Sequence, residues 1–121
     1  MYWLAAALAL KAATHVAVQL PQFLPYVDVH RTYAIVEEKR ASYYSVDFAA
    51  VPDCNGAHVC SYAHAIGSRT PLPIGYRPFR ISAYCTDAAL AWRQDGYYYE
   101  LDLKCGTLAE LHAMRRSMRR Y

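Results

Sequence analysis

At 121 residues with a net charge of +3, the chain is sized for one domain with a single modest core, and its positive charge is too small for a nucleic-acid footprint. Hydrophobic residues make up 55%, a share carried by alanine and by 12 tyrosines, whose rings and hydroxyls suit half-buried sheet faces and recognition surfaces.

The apolar run from Trp3 to Leu10 ends at Lys11. It is too short to span a membrane, which takes about 20 residues. Ala7-Leu8-Ala9 has the small-x-small form of a leader cleavage site, but no Lys or Arg precedes the run. Residues 1–19 therefore read as a leader or as an N-terminal helix, and residues 20–121 as a single α+β domain. Pro21 and Pro25 block helix and begin an extended arm that offers Phe23 and Leu24 for packing.

Tyr33, Ile35 and Glu37 alternate with Ala34, Val36 and Glu38, and after Lys39-Arg40-Ala41 a second alternation carries Tyr44, Val46 and Phe48. Setting Glu37 against Ser42 places Ile35 opposite Tyr44 and Tyr33 opposite Val46, a hairpin with a four-residue connection. Turn formers fill residues 52–60. A short strand is expected over 61–66, an irregular proline-rich connection over 68–78 and a further strand over 79–84.

The clearest hairpin surrounds Asp95-Gly96, a type I′ turn signature. Gln94 opposite Tyr97 puts Trp92 across from Tyr99 and Leu90 across from Leu101, while Arg93, Ala91 and Ala89 meet Tyr98, Glu100 and Asp102 on a charged face. Thr107-Leu108-Ala109-Glu110 is a capping box, and Leu108, Leu111, Met114 and Met118 form a stripe expected to cover the oily side of the sheet. Arg115, Arg116, Arg119 and Arg120 are expected in the last turns of that helix, complementing its dipole and offering a contact to an anionic membrane surface or polymer.

Four cysteines fall into two local pairs, Cys54 with Cys60 and Cys85 with Cys105. One bulged residue near Thr86 would bring Cys85 opposite Cys105. Even numbers and local spacing favour two disulfides, and with them a periplasmic or secreted location. The alternative for the tighter loop is zinc held by Cys54, His58, Cys60 and His64, although a single short loop would then have to wrap the ion. Neither pair is C-x-x-C, and no phosphate loop, nucleophile elbow or metalloprotease helix occurs.

The run Ala91-Trp92-Arg93-Gln94-Asp95-Gly96-Tyr97-Tyr98-Tyr99-Glu100-Leu101, followed by Thr107 to Met118, resembles the hairpin-plus-helix ending of poorly characterised bacterial extracytoplasmic domains. The resemblance covers about a quarter of the chain, residues 91–118, and implies an envelope location with a sensory or accessory role. It carries no catalytic residue.

The expected architecture is an antiparallel sheet of about four to five strands with the C-terminal helix on one face. The expected role is a non-enzymatic binding or accessory module without a cofactor, recognising an envelope protein or polymer through Tyr43, Tyr76, Arg77, Arg93 and Tyr98. A small hydrolase using His58 or His64 is the alternative, and it requires a concave pocket with an imidazole beside a nucleophile.

Overall fold

Asp95 and Gly96 adopt positive φ, 53° and 83°, and reverse the chain in the expected two-residue turn. In the computed structural model, which describes residues 2–121, the flanking strands are Thr86–Gln94 and Tyr97–Leu103, with Trp92 facing Tyr99 and Leu90 facing Leu101. The two-residue turn fixed this register, and the alternation agrees with it by putting Leu90, Trp92, Tyr99 and Leu101 on one side.

In chain order the elements are α1 (Leu4–Ala13), β1 (Gln19–Pro21), a 3-10 turn (Val29–Arg31), β2 (Tyr33–Arg40), β3 (Tyr43–Ala49), β4 (Ser61–Ser68), β5 (Gly75–Ile81), β6 (Thr86–Gln94), β7 (Tyr97–Leu103), α2 (Leu108–Arg116) and β8 (Met118–Arg120). The main sheet is antiparallel and runs β2-β3-β4-β7-β6-β5; β1 and β8 form a separate two-stranded ribbon. The fold is α+β as expected, with six strands in the main sheet rather than four or five. β4 joins the two hairpins into one sheet, and β5 adds an edge strand beyond β6.

One face of the sheet is the core. Tyr44, Val46 and Phe48 from β3, Ala63 and Ala65 from β4, Leu90 and Trp92 from β6, and Tyr99, Leu101 and Leu103 from β7 are buried there. Against them pack Ala7 and Leu10 of α1, Val16, Val18 and Leu20 of the extended arm that leaves α1 and includes β1, and Leu111 and Met114 of α2. The arm is tied down by Tyr44, whose hydroxyl donates to Gln19 O and accepts from Gln19 N, and by the Tyr99 hydroxyl on Ala17 O. Helices and arm therefore lie on the same side, and the opposite face has no helix over it.

Four local expectations change. The first hairpin turns through Ala41 and Ser42 with Arg40 opposite Tyr43, and the register slips between Val36 and Glu38. That bulge leaves Glu37 unpaired and reverses the parity, so Ala34 and Val36 pack on the core while Tyr33 is exposed. The proline-rich connection is shorter than expected because β5 begins at Gly75. Pro78 is tolerated there, as β5 is an edge strand with its own slip between Pro78 and Arg80.

No bulge brings Cys85 to Cys105: the β6–β7 pairing continues unbroken to Ala88 and Leu103. The chain then turns with Cys105 at a φ of 55°, which swings its sulfur to Cys85. The capping box of α2 is present, but the helix stops at Arg116 and Met118 opens β8. Leu108 is exposed, so the buried stripe is Leu111 and Met114 alone. Arg115 and Arg116 end the helix, and Arg115 stacks on the Trp92 ring at 4.6 Å. Arg119 and Arg120 are strand residues paired with Leu20 and Gln19, so the arginines do not form one basic helical stripe.

Among the described residues no helix is long and apolar enough to cross a membrane.

Candidate functional site

Directly opposed residues in a sheet share a face, so the register lines side chains into rows across the strands. On the helix-free face one row reads Arg40, Tyr43, Ser68, Tyr98, Arg93. Arg40 stacks on Tyr43 at 5.0 Å and Arg93 on Tyr98 at 5.7 Å, so each end of the row is a cation–aromatic pair. Another row reads Ile35, Asp47, His64, Asp102, Ala89, Arg77. Between them lie Ser45, Ile66 and Glu100.

Four of the five expected surface residues, Tyr43, Arg77, Arg93 and Tyr98, therefore sit on this one face. Tyr76 does not: it pairs with Leu90 and belongs to the opposite side of the β5 edge. Arg77 is not free either, because its Nη1 lies 2.8 Å from the buried Glu100 carboxylate.

Beyond the second row the face deepens into a cleft of about 180 Å³, lined among others by His58, Ser61, His64, Asp87, Asp102 and Lys104. The loop closed by the Cys54–Cys60 disulfide overhangs it and delivers His58. His58 Nε2 lies 2.7 Å from Asp87 Oδ2, and the other Asp87 oxygen accepts from the Cys105 backbone N–H at 2.9 Å. Asp87 is buried, so this carboxylate is fixed by the chain turn that carries the second disulfide.

Asp102 is the most perturbed acid in the cleft. Burial, aided by its neighbour Glu100, pushes its pKa up to about 8, against the smaller opposing pull of Arg77. The carboxyl keeps its proton at neutral pH, and its Oδ1 is buried with no protein partner. At the other end of the row Asp47 is fully buried; Ser61 donates to its Oδ1 at 2.5 Å, and Oδ2 has no partner. His64 Nε2 lies 3.1 Å from Glu37 Oε1 and 3.5 Å from Asp47 Oδ1.

The zinc set expected as an alternative does not assemble, because Cys54 and Cys60 are bonded to each other. His58 and His64 do line one concave pocket, but the partners of their ring nitrogens are carboxylates rather than a hydroxyl or thiol. Ser61 spends its proton on Asp47. Sequence reasoning passed over Glu37, Asp47, Asp87, Glu100 and Asp102. Their one visible signal was acidic residues placed mid-strand, where β-propensity disfavours them.

No protein-family model, no curated protein and no solved structure matches this chain.

Proposed function

We propose that the chain is a small non-enzymatic binding domain working outside the cytosol, in the periplasm or beyond, whose recognition surface is the helix-free face of the main sheet. The ligand class is a hydroxyl-rich envelope or surface polymer. Two disulfides support the compartment, since such bridges persist where the surroundings are oxidising. The observation that carries the ligand class is the pairing, on one face, of the Tyr43–Tyr98 row with buried acidic oxygens of Asp47 and Asp102 that no protein group satisfies. Tyrosine rings stack on the apolar faces of sugar rings, and buried acceptors without donors favour a ligand that brings hydroxyls.

The test is binding of soluble polysaccharides and peptidoglycan fragments, measured calorimetrically. Tyr98→Ala and Arg93→Ala are each expected to weaken binding tenfold or more, while Tyr84→Ala, altering a ring 96% exposed in another loop, leaves it unchanged. Binding that survives both substitutions removes this face from consideration.

A second reading rests on the cleft itself. An imidazole fastened to a buried carboxylate, His58 with Asp87, and a carboxyl that stays protonated at neutral pH, Asp102, line the same cavity. A proton acceptor and a proton donor facing one cavity are what a hydrolytic step needs. Turnover of chromogenic ester or glycoside substrates that His58→Ala and Asp102→Asn both abolish would establish it. Absence of turnover across such a panel would set it aside.

A further inference from the structure

We propose that Glu37, Asp47 and His64 form a binding site for one divalent first-row metal ion, zinc or manganese, at the β2–β4 end of the helix-free face. The three side chains offer one ligand atom each, all within 4.8 Å of one another. His64 Nε2 stands 3.1 Å from Glu37 Oε1 and 3.5 Å from Asp47 Oδ1. Ligands held at about 2.0–2.2 Å around one ion are separated by roughly 3.0–3.5 Å, from tetrahedral and octahedral geometry. Both separations made by His64 fall in that range, and the Glu37–Asp47 separation stays within 4.8 Å.

Asp47 supplies an independent reason. It is 0% exposed, and Ser61 fixes its Oδ1, leaving Oδ2 buried without any donor. A buried carboxylate oxygen left unsatisfied is costly, and a bound cation removes that cost. Ser61 holds Oδ1, the oxygen nearer His64, and so orients the carboxylate whose other oxygen is free for the ion, the role outer hydrogen bonds play around metal sites.

The backbone is shaped for the same convergence. Asp47 and His64 are direct cross-strand partners, and Glu37 is the extra residue of the β2 bulge. Bulges re-aim a side chain that regular pairing would point elsewhere. Gly56, at a φ of 74°, passes beneath Glu37, where a Cβ would come within 3.0 Å of Oε2. The disulfide-closed loop thus packs against the carboxylate at the outer edge of the cluster.

Ligand chemistry selects the ion. Two carboxylates balance a divalent charge, and the imidazole disfavours calcium and magnesium, which prefer all-oxygen shells. His64 also lines the cleft, so the site adjoins space open to water or a small ligand. The site shares Asp47 with the polymer-binding reading, but ion uptake is measured on the chain alone, so failure of one is distinguishable from failure of the other.

The experiment titrates the full-length chain, stripped by chelator and dialysed, with zinc and manganese chlorides by calorimetry. Native mass spectrometry counts the ions. One ion per chain is expected, with a higher thermal midpoint that chelator reverses. Glu37→Gln and His64→Gln are each expected to weaken uptake at least tenfold, and His15→Ala, at an exposed position outside the cluster, to leave it intact. The two test positions are only partly buried, so both variants are expected to fold, which the unliganded thermal midpoint checks. Lack of one-to-one uptake, uptake that persists in both variants, uptake lost in His58→Ala but kept in His64→Gln, or calcium bound more tightly than zinc and manganese would each overturn the proposal.

Discussion

The ring of Tyr44 lies against the bare backbone of Gly67 on the neighbouring strand, where a Cβ would come within 2.1 Å of the ring edge. The ring has no room to yield, because its hydroxyl is held by both the N–H and the C=O of Gln19 and the residue is fully buried. Replacing a strand glycine by alanine ordinarily gains up to about 1 kcal/mol from backbone entropy. Here overpacking wins. Gly67→Ala is expected to cost about 2–3 kcal/mol, read as a lower urea midpoint at constant slope. An unchanged or raised midpoint would show that the ring does not rest there.

Asp102 makes stability depend on pH. The folded chain holds its proton up to about pH 8, whereas the unfolded chain releases it near the ordinary 3.8. Folding therefore takes up a proton between those values. Stability falls as pH rises through this window and levels off above it, by a few kcal/mol in all, on the order of one per pH unit. Asp102→Asn is expected to flatten the profile and to be more stable than the natural chain at pH 9. Urea midpoints at pH 5, 7 and 9 check this, and parallel profiles for the two proteins would refute it.

The two disulfides are expected to differ in worth. The Cys85–Cys105 bridge spans 20 residues and the Cys54–Cys60 bridge only 6. Loop entropy gives about 3 kcal/mol for the longer and about 2 kcal/mol for the shorter. Paired serine substitutions at Cys85 and Cys105 should lower the unfolding midpoint more than those at Cys54 and Cys60. Intact mass after alkylation should show no modified cysteine until reductant is added, then four.

At the start of α2, Thr107 Oγ1 accepts from the Glu110 N–H at 3.2 Å while Glu110 Oε1 accepts from the Thr107 N–H at 2.9 Å. Thr107→Ala is expected to cost about 1 kcal/mol and Thr107→Ser close to nothing, since serine keeps the oxygen. Equal losses for both would point to the methyl group instead of the cap.

Features whose causes lie within a few residues of one another were legible. The Asp95-Gly96 turn, the register of its two strands, the capping box and the local pairing of the cysteines all depend on neighbours in sequence. The first hairpin was not, because a period of two cannot reveal an extra residue. Glu37 bulges so that Ala34 and Val36 reach a core partly built by α1 and the arm. The end of α2 was equally hidden: Met118 leaves the helix to pair with Pro21, almost a hundred residues earlier.

Local chemistry, then, decided the hairpins, the caps and the crosslinks of this protein, since each closes over a short loop at small entropic cost. The tertiary structure decided which face stays open and what gathers on it. Glu37, Asp47, His64, Asp87 and Asp102 come from five strands, and each alone reads as an ordinary polar strand residue. Only the order β2-β3-β4-β7-β6, set by long-range pairing, brings them onto one face and takes Asp47 and Asp87 out of water.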